Sequence, residues 1–152
     1  MPSLHPPCSG MPLAFIALLV IVELLSLIRR WRDSLVSTRL VAVCALAASV
    51  TLSFLSGYQA SSSLGDLPLD TQSALSEHHA YGRLLIINAG AMLVFFLVAC
   101  RAVYAKRTMW GLYYTTMILQ IILTLLVGSM GGDLVFSHAV GVKQPHHSDA
   151  TQ

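Results

Sequence analysis

The chain has 152 residues, of which 55% are hydrophobic and 11% charged. With a mean hydropathy of +0.70 it lacks the polar surface that a soluble domain of this size needs. A net charge of +2 gives no reason to look for nucleic acid. No P-loop, G-x-S-x-G elbow or H-E-x-x-H helix is present to suggest catalysis, so an all-α integral membrane protein, a carrier or accessory subunit rather than an enzyme, is expected.

The first apolar run, residues 11–28, contains one charge, Glu23. Its leader carries Pro2, Pro6 and Pro7 but no Lys or Arg, and the run ends in Arg29-Arg30 without a small-residue cleavage site, so a retained span is expected instead of a secretory signal. Cys8 precedes the run, which argues against a lipoprotein site. Charge-free runs follow over residues 40–60, 84–100 and 108–130, the third span being taken to extend to about residue 104. A hydrocarbon core of ~30 Å needs about 20 helical residues, so all four runs are expected to cross. Four strands could not close into a barrel, which leaves helices as the spanning element.

Between the second and third spans, residues 60–77 are rich in Ser, with Gly65, Asp66, Pro68, Asp70 and Glu77, and read as an exposed loop. Gly131-Gly132-Asp133 is expected to end the fourth helix, with the apolar residues 134–142 lying along the membrane interface. Residues 1–145 are expected to form one membrane domain and residues 146–152 a disordered tail.

Seven of the nine Lys and Arg residues flank the first and third connections: Arg29, Arg30, Arg32, Arg39, Arg101, Lys106 and Arg107. The positive-inside rule puts these connections in the cytoplasm and both termini outside, in the periplasm of a bacterial inner-membrane protein. Short connections on the basic side predict an up-down four-helix transmembrane bundle. Ser49, Ser53 and Gly57 in the second span, and Thr116, Gln120, Thr124 and Gly128 in the fourth, form stripes of small or polar residues that are expected to face inward and pack. Glu23 requires a partner in lipid, and Arg39 or Arg101 is within reach; a structural ion pair is preferred to a proton relay. Asn88 and Gln120 are expected to bond between helices. Cys8, Cys44 and Cys100 make no disulfide framework, and no C-x-x-C-H signals covalent haem.

The segment Gly-Gly-Asp-Leu-Val-Phe-Ser-His-Ala-Val-Gly-Val, residues 131–142, resembles the closing motif of the bacterial membrane family known as domain of unknown function 2231. His5-Pro6 is similar to that family's opening His-Pro, Gly57 closes the second span, and His78, His79 and Gly82 open the third. The resemblance implies a four-span bundle in an electron-transfer setting, since relatives are joined to Rieske-type iron-sulfur domains. The pattern departs in one place: where relatives carry a second histidine, an aromatic residue and a proline, this chain has Gly10, Met11 and Pro12.

All six histidines lie outside the apolar runs and on the side opposite the basic cluster. A b-type haem takes two axial ligands from opposite faces of a flat macrocycle, and histidines at neighbouring helix ends are a common membrane solution. His79 and His138 are the expected pair, with His5 a third candidate and His78 a substitute for its neighbour. Copper or zinc could use the same nitrogens, with Asp133, Glu77 or Cys8 completing the shell. His146 and His147 are expected to be ordinary solvated residues. The function expected is a haem-binding or redox-accessory membrane protein serving other membrane redox or respiratory subunits; a structural subunit without its own cofactor is the alternative.

The topology is testable. In a Cys-free background, a membrane-impermeant thiol reagent applied from outside should label Ser62→Cys and spare Ser34→Cys; the reverse order would invert the whole arrangement.

Overall fold

The computed structural model describes residues 8–102 and 104–140. It is all-helical, with α1 over Met11–Ser26, α2 over Val36–Ser61, α3 over Leu69–Arg101 and α4 over Lys106–Phe136. Helices α2, α3 and α4 are each long and apolar enough to cross a membrane, whereas α1 has 16 residues and is shorter. At 1.5 Å per residue α1 reaches about 24 Å, against roughly 50 Å for α3.

The expected first span of residues 11–28 therefore ends early, and the cause is local. Ser26 Oγ donates to the carbonyl oxygen of Glu23 at 2.7 Å, the acceptor that the amide of Leu27 would use in a continued helix. The Leu27 amide turns to Leu24 O at 3.2 Å and that of Ile28 to Leu25 O at 3.1 Å. These shorter i→i−3 bonds tighten the last turn and release the chain into the turns of residues 27–35.

The second connection also departs from expectation. It is only residues 62–68, because α3 begins at Leu69, and residues 69–83, expected to lie mostly in a loop, are helical. Pro68 is extended (ψ 150°) and acts as the N-cap, while Asp70 sits in the first turn, where the helix dipole favours an acid. Thr71, Leu75, His78, Gly82 and Leu85 share one helical stripe, with Thr71, Gly82 and Leu85 buried. A contact face this small and polar gives little hydropathy signal.

Helix α4 likewise runs through Gly131-Gly132-Asp133 to Phe136, so Leu134, Val135 and Phe136 are helical and not an interfacial strip. It closes when the Ser137 amide bonds Asp133 O at 2.8 Å and Ala139, at φ 51°, turns the chain so that the Val140 amide reaches Leu134 O at 2.9 Å.

The most extensive packing is between α3 and α4, and the slimmest of the main helix contacts is between α1 and α4. One antiparallel register runs the length of α3 and α4. Phe96 and Tyr113 rings lie 5.3 Å apart, Asn88 Nδ2 donates to Gln120 Oε1 at 2.7 Å and to Thr116 O at 2.9 Å, and Thr71 meets His138. The expected interhelical bond between Asn88 and Gln120 is thus present. The core comprises Leu19, Val43, Leu46, Val50, Met92, Phe96 and Tyr113. Ser49, Gln120 and Thr124 of the small or polar stripes are buried, whereas Gly128 is exposed.

Large apolar side chains also cover the outside, among them Val41, Leu55, Ile87, Ile118 and Leu125. Only lipid or another apolar surface can cover them favourably. The alternating helix directions bring the 27–35 and 102–105 connections to one end, here called the basic end; His78, His79 and His138 are at the other, the histidine end.

Gly82 packs closely on α2: a Cβ there would come within 3.2 Å of Phe54 Cδ2, while one on Gly90 would meet nothing within 4 Å. Gly82→Leu should lower thermal stability in detergent by about 1–3 kcal/mol through overpacking. Gly90→Ala should be neutral or slightly stabilising.

Candidate functional site

Near the basic end, the buried stripe of α1 (Ile16, Leu19, Val22, Glu23) directs one carboxylate into the bundle. Arg39, in the first turn of α2, meets it with Nε donating to Oε1 at 2.8 Å and Nη2 to Oε2 at 2.9 Å. The Tyr113 hydroxyl donates to Oε1 at 2.6 Å and that of Tyr114 to Oε2 at 3.2 Å. Each oxygen thus accepts from one guanidinium nitrogen and one phenol, and Ser26 Oγ lies a further 3.5 Å from Oε2. Two oxygens offer about four acceptor positions, so the carboxylate is saturated. The Arg39 guanidinium lies 4.5 Å from the centre of the Trp110 ring and 5.6 Å from that of Phe96. All four helices contribute a side chain.

Of the two arginines expected within reach of Glu23, Arg39 is the partner, and Arg101 is exposed at the end of α3. The three aromatic residues from α4 went unnoticed in the sequence, although Trp-Gly-Leu-Tyr-Tyr, residues 110–114, carried a signal: a buried phenol or indole needs a polar partner, and the acid of α1 lies at the same level.

At the histidine end, His138 lies beyond the last turn of α4 with its side chain 20% exposed. Its Nδ1 is 3.2 Å from Thr71 Oγ1, a hydrogen bond whose direction depends on the tautomer. Asp70 Oδ2 is 3.9 Å from Nδ1, and Asp133 Oδ2 is 3.9 Å from Nε2. The carboxylates approach opposite nitrogens of one ring, so a single ion cannot take both together with the imidazole. His138 instead ties the end of α4 to the start of α3.

His78 and His79 lie further along α3. Their ring centres are 6.1 Å apart, and that of His79 is 6.2 Å from that of Tyr58 on α2. A Cβ on Gly131 would be in ordinary contact with His78 Cε1 at 3.5 Å, so this residue, expected to end α4, instead continues the helix beside the imidazole. His138 faces Thr71, and His79 is eight residues further along, about 12 Å along the axis of α3 at the helical rise. The expected pair therefore occupies two levels of the same helix pair.

Glu77 and Asp133, expected to complete a metal shell, line a separate cleft of about 340 Å³ with Ala74, Tyr81, Leu126 and Met130. Among the described residues, no group of three His, Cys, Asp or Glu is placed to hold a metal ion. His5, His146 and His147 lie outside the described residues. Thr71 and Asp70, the partners of His138, were assigned in the sequence to a loop and so went unrecognised.

Comparisons with protein-family models, with curated proteins and with solved structures returned no match. The family resemblance rests on the residues quoted for it.

If the Glu23 cluster is a structural lock, Glu23→Gln or Arg39→Met alone should lower stability in detergent by about 3–5 kcal/mol, because each leaves the other member unpaired in the bundle. The double variant should lose clearly less than the two single losses together. Strict additivity in thermal unfolding would mean that the pair is not energetically coupled.

Proposed function

We propose that the chain is a small redox-accessory protein of a bacterial inner membrane, crossing it four times with both termini outside, and that its histidine end serves an electron-transfer assembly. The observation that carries this reading is the grouping of His78, His79, His138, Asp70, Glu77 and Asp133 on the same end of the α3/α4 pair, opposite the basic end. The basic end belongs to the cytoplasm by the positive-inside rule, which turns the histidines outward. Such a surface provides imidazole for a cofactor and carboxylates for a basic partner.

The cofactor proposed is a b-type haem with His79 as ligand and His78 as its substitute, the second axial position falling to His5 or to His138. The His138 alternative requires that ring to leave Thr71 and Asp70. Haem would supply one-electron chemistry, and the chain's residues would hold its iron and set its polarity. Copper or zinc at the same imidazoles is the metal variant.

A second reading is favoured by the contacts of His138: with both nitrogens facing side chains of the helix pair, it acts as a fastener, as expected of a structural subunit that binds a larger complex without its own cofactor.

Visible absorption and metal analysis of protein expressed with ample haem separate the two. The redox reading expects a Soret band of low-spin b type that changes in His79→Ala. Protein containing neither haem nor a stoichiometric transition metal overturns it in favour of the structural subunit.

A further inference from the structure

The basic end contains a second cleft, of about 370 Å³, between the turns that follow α1 and the start of α4. It is lined by Ser26, Leu27, Arg32, Asp33, Val36, Arg39, Lys106, Trp110 and Tyr114. Its chemistry divides into two parts. Leu27, Val36 and Trp110 form an apolar wall, while Arg32 and Lys106 provide cations that make no ion pair among the described residues. Arg39 adds a third: its Nε and Nη2 are committed to Glu23 and Tyr114, and Nη1 makes no hydrogen bond among the described residues. The hydroxyls of Ser26 and Tyr114 in the lining already donate to Glu23, so the cations are left to hold an anion.

We infer that this cleft binds the phosphate of an anionic phospholipid. The charge balance selects the kind of phosphate. Arg32, Arg39 and Lys106 face Asp33 in the lining and Glu23 behind it, which leaves one positive charge. One positive charge matches the single negative charge of a phosphodiester, and falls short of the roughly −1.5 to −2 of a phosphate monoester at neutral pH.

The position fits as well. Leu24, Leu27, Ile28 and Trp31 are exposed beside Arg29, Arg30 and Arg32, and Tyr104 is fully exposed on the neighbouring connection. Apolar, aromatic and basic side chains intermixed at the end of a spanning bundle are the composition of a headgroup interface. In that setting the apolar wall takes the start of the acyl chains while the cations take the phosphate. The inference does not depend on what the histidine end carries.

Native mass spectrometry of the full chain in detergent tests it, with phosphatidylglycerol, phosphatidylcholine and inorganic phosphate as probes. Phosphatidylglycerol should be retained in preference to phosphatidylcholine, and inorganic phosphate at equal concentration should neither bind nor displace it. Arg32→Gln with Lys106→Gln should weaken phosphatidylglycerol binding by about fivefold per charge removed. Arg29→Gln with Arg30→Gln, an equal charge change outside the cleft lining, should leave it within twofold. Both pairs are exposed, and unchanged melting without lipid checks that each folds. Equal retention of the two lipids, an equal loss in both double variants, or displacement by inorganic phosphate overturns the inference: the first two leave only diffuse surface charge, the third a site for free phosphate.

Discussion

A carboxylate and a guanidinium placed inside an apolar bundle impose the main constraint on this structure. An acid buried in apolar surroundings is costly unless it is paired and hydrogen-bonded, so Glu23, buried inside the bundle, is tolerated only where its oxygens find donors. Arg39, Tyr113 and Tyr114 supply those donors from α2 and α4, and Trp110 and Phe96 cover the guanidinium from α4 and α3. Apolar packing between lipid-exposed helices has little directional preference. The ion pair, by contrast, is satisfied in one arrangement of the four helices. It joins α1 to α2 and α4 at one level of the bundle.

That constraint acts at one end only. The contact between α1 and α4 is slim, and it includes the bonds from Tyr113 and Tyr114 to Glu23. Further toward the histidine end, α4 is held to α3 by Asn88 with Gln120 and by His138 with Thr71. Helices α3 and α4 behave there as a bonded pair, longer than α1 and extending past it. The ring of four helices is thus closed by polar bonds near the basic end, and the pair that carries the histidines is joined there by its own polar bonds, with α2 packing on α3 through Phe54 and Tyr58.

The sequence revealed the apolar architecture because hydropathy over about 20 residues is a strong signal: the runs in α2, α3 and α4 are where helices long enough to cross are found. The pairing of Glu23 was legible for the same reason, since a lone acid in an apolar run must have a partner. What the sequence hid was helix made of polar residues. Residues 69–83 read as a loop because nine of the fifteen are polar or charged, yet Thr71, Leu75, His78 and Gly82 keep the helical spacing, with Thr71 and His78 toward the end of α4 and Gly82 toward α2. Gly131 and Gly132 misled in the opposite way. Glycine pairs often end helices, but Gly131 continues α4 and faces His78, a neighbour 53 positions away in the chain that no local pattern encodes.

These misreadings bear on how the histidine end is understood. With residues 69–83 as a loop, His78 and His79 belong to one loose end and His138 to another, the two can converge on a common point, and an axial pair follows naturally. With the same residues as a rigid helix, the imidazoles have fixed heights. The helical rise separates Thr71, the partner of His138, from His79 by about 12 Å, and His138 faces a hydroxyl and two carboxylates. A cofactor at this end therefore has two options. It uses imidazoles of the His78 and His79 level with a ligand from elsewhere, or it draws His138 out of its contacts and loosens the α3/α4 end as it binds. In the second case cofactor binding and the order of the helix end become one equilibrium, because the same ring cannot serve both.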